Sequence, residues 1–353
     1  MRVLVLNVGS SSVKGSIVES RDGSVATKQE TTLGTDVSSR QRFDRLVGDL
    51  LARLRASETG RLAAVGHRVV HGGTRYRAAV RIDERVVRGI EDLAEFAPLH
   101  NQMAARGIRA ARKALPGIPQ IAAFDTAFHA GLAEEQYLYP VPWQWHREFG
   151  IRRFGFHGLS VEWSTGQAAE MLGRPASDLA LIVAHLGSGC SVTAVLGGRS
   201  VATSMGLTPL EGLMMGTRAG SIDPGILFYM LRTRRAGWRQ LERTLDHESG
   251  LAGVYGKAAG MREIEVAATG GNRRARLAID MFVSRAAAGI AAAAISLPRV
   301  DALVFTGGIG EHSATVRNGI VSKLARLAIG TVLRVEARED AVIASQVARL
   351  LQQ

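Results

Sequence analysis

Two residue types are scarce in this 353-residue chain. Cys190 is its single cysteine, and lysine supplies only five of the 44 positive residues, leaving 39 arginines. One thiol excludes an internal disulfide and a cysteine-only metal cage, and fits a reducing, cytoplasmic compartment. Long apolar runs are also missing. The first, residues 3–6, breaks at Asn7, too soon for a signal-peptide core, and residues 286–297 cover about half a membrane span, so no membrane is expected as a partner. The net charge of +12 is scattered. With no block of five or six cations and no interleaved aromatics, it points away from a nucleic-acid platform and more toward a positive field that attracts phosphorylated substrates. A hydrophobic content of 46% with 22% charged residues describes a globular protein long enough for two domains.

What is present is organised in two similar halves. Residues 3–6 and 13–18 read as two strands joined by a turn of Asn, Val, Gly and Ser. The plan returns at residues 181–184 and 192–196 around Gly187-Ser188-Gly189. Gly187 stands about half a chain length after Gly9, which suggests duplication of a domain. Between the copies, Phe43, Leu46, Val47, Leu50, Leu51 and Leu54 share one helical face. Residues 65–70 and 121–124 read as strands, and residues 130–149 as the border between domains. In the second half, residues 273–297 form a long alanine-rich helix feeding a strand at 300–306, and residues 340–351 a final amphipathic helix. Strands alternating with helices indicate an α/β architecture.

The segment with most chemistry in it is residues 203–225, with Pro209, Glu211, Arg218 and Asp223 among its glycines. It is too irregular for an amphipathic helix, and suits a sparsely charged loop built around Arg218, whose planar fork matches phosphate or carboxylate oxygens. Asn7 to Lys14 forms a Gly/Ser turn whose N–H groups and hydroxyls can cradle phosphate, although it is not a Walker A loop. His67 and His71 are four apart, but on a strand their rings stand about 13 Å apart, too far for one ion. Arg68 between them is the more telling residue. Asp125 follows a strand end, where α/β proteins place chemistry or a helix cap. His157 sits among glycines and aromatics. Residues 307–310 follow a strand and precede a helix without matching Gly-x-Gly-x-x-Gly. Cys190, in a Gly/Ser turn with no local base, reads as a packed small residue.

In their order and spacing these motifs resemble the acetate kinase family, from the first strand through Glu311. The resemblance implies a duplicated actin/sugar kinase/Hsp70-like (ribonuclease H-like) fold of two domains with a cleft between them. Residues 1–149, joined by the C-terminal helix 341–353, would form one domain, and residues 150–340 the nucleotide-binding one. It implies catalytic roles for Arg68, Asp125, His157 and Arg218 around the transferring phosphoryl group. An acyl pocket of Val70, Leu99 and Pro209 would adjoin Arg68, with His100 close by. Asn7, Ser10, Ser12 and Lys14 would form a first phosphate loop, and His185, Ser188 and Gly189 a second. Arg262, Gly307, Gly308, Ile309 and Gly310 would line the adenosine pocket, and Asn7 and Glu339 would hold Mg2+ or Mn2+. The chain departs from the family pattern in several places. Ser188 stands where Asn is usual, Gly260 replaces the aspartate of Asp-Phe-Arg, Val161 replaces a second histidine, and the stretch before Glu339 is shorter.

The implied activity is reversible transfer of the ATP γ-phosphoryl group to acetate, giving acetyl phosphate and ADP, by a homodimer. Propionate or butyrate as acceptor is the nearest alternative, and a non-catalytic nucleotide-dependent sensor the rival from another class. A nucleic-acid-binding role ranks third.

Overall fold

The computed structural model describes residues 1–9, 12–21, 23–32, 40–56 and 61–353, without the side chains of residues 40, 41, 55, 98 and 99. The chain divides into two compact units. Unit 1 comprises residues 1–130, 158–163 and 338–353, and unit 2 comprises residues 131–157 and 164–337.

Unit 1 is built on a six-stranded sheet of β1 (Arg2–Val8), β2 (Ser12–Glu19), β3 (Val25–Thr32), β4 (Ala64–Val69), β5 (Val80–Arg81) and β6 (Gln120–Phe124), in the order β3-β2-β1-β4-β6-β5. β1, β2 and β3 form an antiparallel meander, and β4 and β6 add in parallel to β1. The near-continuous apolar run of β1 follows from its central place, covered on both faces. Leu4, Leu6 and Val8 pack with Phe43, Val47, Leu50, Leu51 and Leu54 of the helix Arg40–Ala56. Val3 and Val5 turn the other way, onto Val342, Ile343 and Val347 of the C-terminal helix Glu339–Leu351. That alternation is the strand period of two.

Unit 2 repeats the plan. Its sheet holds β7 (Ala180–Leu186), β8 (Cys190–Leu196), β9 (Arg199–Thr203), β10 (Val300–Thr306) and β11 (Ile329–Arg334), in the order β11-β10-β7-β8-β9. β7, β8 and β9 form the antiparallel meander, with β10 and β11 in parallel beside β7. Gly187 follows the end of β7 as Gly9 follows the end of β1, and each glycine opens the turn into an antiparallel partner. The repeat read from two glycines is therefore a repeat of two hairpins. The helix Arg273–Ala294 is long and apolar enough to cross a membrane by length and composition. It instead buries Ala275, Ala278, Ile279, Phe282, Val283, Ala286, Ala287 and Ile290 within the protein, as a core helix does.

Residues 131–149, assigned above to the first domain, pack in unit 2. The cause is polar as much as apolar. The Tyr139 hydroxyl bonds to Glu211, and the Arg153 N–H donates to the Tyr137 carbonyl at 2.7 Å.

His67, on β4, lies in the interior with Nε2 2.6 Å from Gln120 Oε1. Burial pushes its pKa down to about 4, against a partial rise from that hydrogen bond. The unfolded chain takes up this proton near pH 6.5 and the folded chain does not. Stability is thus full above pH 6.5, and falls as the pH drops toward 4 by about 3 kcal/mol in all. Urea unfolding between pH 7 and 4.5 should show a pH slope that His67→Gln reduces by about one proton, and equal slopes in both proteins would contradict this.

Candidate active site

In unit 1 the parallel strands β1, β4 and β6 end along one edge of the sheet, where open α/β folds place their ligands. Asn7 lies opposite Arg68 in the β1–β4 register, and Arg68 lies opposite Ala123 on β6. Val69 points into the core, whereas Arg68 and Val70 share the other, half-buried face. Asp125 follows β6 directly, fixed by its N–H to the Val69 carbonyl at 3.0 Å and by its carbonyl to the Gly158 N–H at 2.8 Å.

The Arg68 guanidinium grips Asp125 with two hydrogen bonds, Nε to Oδ1 at 2.9 Å and Nη2 to Oδ2 at 2.8 Å. Its Nη1 reaches Glu339 Oε2 at 2.6 Å. The side chains are 17%, 2% and 19% exposed for Arg68, Asp125 and Glu339. Burial alone would lower the Arg68 pKa, but the charges of Asp125 and then Glu339 outweigh it and raise the group above its ordinary value. Glu339 comes from the first turn of the C-terminal helix, far along the chain from Arg68, so the sequence gives no local sign of the pairing.

Two other residues that the resemblance assigns to a first phosphate loop, Lys14 and Ser12, stand apart from this cluster. Lys14 lies opposite Asn7 in register, yet its ammonium pairs with Glu30 at 3.3 Å across β2 and β3, half exposed. The Ser12 hydroxyl also bonds Glu30 and, with Lys14, holds that carboxyl below its usual range. Ser10 lies outside the described residues. His100 and the backbone of Leu99 belong to the helix Pro98–Ala114.

Unit 2 gathers a second cluster at the carboxyl ends of β7 and β10. His157 adopts a left-handed backbone (φ 60°), places Nδ1 2.9 Å from Ser191 Oγ, and stacks on His185 with ring centroids 4.2 Å apart. Gly189 abuts this pair. A Cβ there would lie 3.2 Å from His157 Nε2 and 3.5 Å from Arg218 Nη2. Gly307 (φ 76°) meets the cluster from β10, since a Cβ would stand 2.8 Å from the Leu186 carbonyl and 3.1 Å from His185 Nε2. His157, His185, Gly189, Arg218 and Gly307 are therefore brought together. Gly308 is exposed beside them, and Ile309 and Gly310 continue the short helix Gly307–His312. Ser188 is exposed, its carbonyl accepting the Gly216 N–H at 3.1 Å. Arg262 is exposed on the helix Met261–Thr269, which Gly260 caps. Cys190 is buried with Sγ 3.3 Å from the Gly187 carbonyl, and burial pushes the thiol up to about 12, which makes it a packed group.

The glycine-rich segment after β9 carries no helix or strand until Gly225. Within it Arg218 is half-buried, and Nη1 donates to the Pro209 carbonyl at 2.8 Å. Burial lowers its pKa against a smaller opposing effect of the Asp246 charge, and among the described residues no carboxylate stands at salt-bridge distance from it. The two central arginines thus differ. Arg68 is matched by two carboxylates, whereas Arg218 keeps N–H groups for an anion. Sequence reasoning missed Tyr139, Arg153 and Glu211, which organise the start of this segment. Only the placement of Glu211 in the glycine-rich stretch pointed to it.

Fold and site define a kinase of the duplicated, actin-like class. The chain belongs to the Acetokinase family, whose model matches residues 2–350. It is 45% identical over 346 residues to an acetate kinase of Deinococcus radiodurans, covering 93% of this chain and 87% of that protein. Among solved structures, an acetate kinase of Porphyromonas gingivalis matches 99% of both chains with a TM-score of 0.90 at 32% identity. A propionate kinase of Francisella tularensis matches 98% of both chains with a TM-score of 0.88 at 34% identity.

Proposed function

We propose that this kinase transfers the γ-phosphoryl group of ATP to acetate, reversibly, giving acetyl phosphate and ADP. The observation that carries the reading is Arg218, a half-buried cation with no carboxylate at salt-bridge distance among the described residues, set against Gly189 and His157 in a family whose relatives include acetate kinases.

Acetate is ionised at neutral pH, so the acceptor needs no general base. The barrier lies in bringing two anions together and stabilising charge on the transferring group, which makes fixed positive groups the main catalytic device. An acetate oxygen forms its bond to the γ-phosphorus while the bond from that phosphorus to the β–γ bridging oxygen breaks, and ADP leaves with the electron pair. Arg218 and His157 would donate to the equatorial oxygens. Arg68 has three of its five N–H groups engaged by Asp125 and Glu339, and offers the other two to the acceptor carboxylate or the phosphoryl group. Asp125 on this reading orients Arg68 and accepts no proton.

Asn7 and Glu339 would hold the Mg2+ (or Mn2+) that accompanies ATP. Their hard oxygen donors beside the Arg68 cluster suit such an ion. An ion of this kind is commonly held by one or two protein oxygens together with substrate phosphates rather than by a cage of protein ligands. When bound, it neutralises phosphate charge.

Propionate is the second reading, favoured by the match to a propionate kinase structure. Assaying ATP consumption with acetate, propionate and butyrate separates the two. Acetate should give the highest kcat/KM, and no turnover with any of the three would overturn the proposal. If Val70 limits the acyl pocket, Val70→Ala should favour propionate over acetate by about tenfold relative to the parent, on the ~1–3 kcal/mol per methylene scale. An unchanged order would place the limiting wall elsewhere.

We also propose a cytoplasmic homodimer. The helices Trp143–Phe149, Gly225–Arg232 and Trp238–His247 bury no residue, and Trp143, Phe149, Phe228 and Trp238 are 56%, 60%, 64% and 62% exposed, apolar side chains that a second subunit would cover.

A further inference from the structure

Arg218 is aimed by a carbonyl, that of Pro209, so whatever fixes residues 204–211 fixes the guanidinium. Those residues are held from one side by a polar network within unit 2. The Tyr139 hydroxyl donates to Glu211 Oε2 and accepts the Leu207 N–H at 2.9 Å. Glu211 Oε1 accepts from Arg153 Nη2 at 2.8 Å. Arg153 Nη1 donates in turn to the carbonyls of Ser204 at 3.1 Å and Met205 at 3.0 Å, and its guanidinium carbon lies 5.3 Å from the Tyr139 ring centroid. The N–H groups of Phe154 and Gly155 converge on the Gly206 carbonyl at 3.0 and 3.3 Å. Gly206 sits inside this knot. A Cβ there would fall 1.7 Å from Glu211 Oε2 and 2.0 Å from Tyr139 Oη, so any side chain would have to push the Glu211–Tyr139 pair aside. Every carbonyl or N–H from Ser204 to Leu207 named here is bound to residues 139–155, and Pro209 follows shortly after.

We infer that Tyr139 is a positioning residue for the kinase reaction: through Glu211 and the Leu207 N–H, its hydroxyl sets residues 204–211 so that the Pro209 carbonyl aims Arg218 and the Pro209 ring is held in place for the carboxylate substrate. The inference rests on the carboxylate-kinase reading above. Its chemistry is that of a neutral phenol used as a two-sided linker, donating to a carboxylate and accepting from the backbone, a role phenylalanine cannot fill. Burial, and then the bond to Glu211, raise the Tyr139 pKa above its ordinary value, so the hydroxyl keeps its proton wherever the enzyme works. The arrangement spans 72 positions of sequence from Tyr139 to Glu211, and acts on the reaction without touching it.

Tyr139→Phe removes one oxygen and keeps the ring. The expected result is a fall in kcat of about 10- to 100-fold, the scale of a misplacement of order 1 Å in an active site. KM for the carboxylate should rise severalfold, with KM for ATP within about twofold. A purely structural role would lower the melting temperature and leave that split absent. In a double-mutant cycle, Tyr139→Phe should add little to Glu211→Gln, because both break the same linkage. Titration with inorganic phosphate, with Arg218→Ala as the reference for loss of that arginine, supplies a readout without turnover, in which Tyr139→Phe should bind about tenfold more weakly than the parent. Wild-type kinetics and phosphate affinity in Tyr139→Phe, or fully multiplicative losses in the double mutant, would overturn the inference. Failure of the parent enzyme on every carboxylate would instead overturn the acceptor assignment, while the phosphate titration still decides the role of Tyr139.

Discussion

Arg218→Ala is expected to lower kcat by roughly 10³–10⁵, the range set by losing an arginine that stabilises a transferring phosphoryl group. The KM values for ATP and carboxylate should move far less, because the interaction is strongest when charge has spread over the equatorial oxygens. Stability should hardly change. Among the described residues Arg218 makes one side-chain hydrogen bond, to the Pro209 carbonyl, burial already disfavours its charge, and Asp246 acts on it only at a distance, so no salt bridge is broken when it goes. A variant that retains more than a tenth of the parent kcat would remove Arg218 from the mechanism.

Arg68→Ala should cost as much activity but fail differently. Its loss strands Asp125, which is 2% exposed, and leaves Glu339 without its cation. Removing one partner from a buried pair destabilises by about 3–5 kcal/mol, since the remaining charge keeps its desolvation penalty. Urea unfolding should therefore show a large loss for Arg68→Ala and almost none for Arg218→Ala. Replacing Asp125 by Asn in the Arg68→Ala background should return part of the stability and none of the activity. Equal stability of the two single variants would mean that the Arg68 pairs contribute little to the fold.

Much of the architecture was legible because it repeats. The glycine turns at Gly9 and Gly187 marked two hairpins, and the buried strands β1, β4, β6, β7 and β10 were readable as apolar runs. The edge strands were not. β3 is Val-Ala-Thr-Lys-Gln-Glu-Thr-Thr with an exposed or half-exposed pattern throughout, and β11 is almost as open, so neither carries a burial signal. The sequence also placed the border of the first domain after residue 149, since aromatic content alone cannot tell which sheet residues 131–149 pack against. Arg153, Tyr139 and Glu211 decide that, and they meet only in three dimensions.

The site divides along the same line. Arg68, Asp125, His157 and Arg218 stood at strand ends or in glycine-rich turns, where spacing and residue type speak together. The Glu339 pairing with Arg68 was beyond reach, because a helix at the opposite end of the chain supplies it. Lys14 was read into a phosphate loop from its neighbours, but β2 carries it toward Glu30 on β3, a strand the sequence did not reveal. Pairing across strands, rather than composition, decided each of these placements.

A carboxylate acceptor makes the product an acyl phosphate. Hydroxylamine traps acyl phosphates as hydroxamates and leaves phosphate esters intact. With ATP, Mg2+ and acetate, the parent enzyme should yield acetohydroxamate in step with ADP, and Arg218→Ala should yield almost none. ADP release without hydroxamate in the presence of acetate would contradict the account.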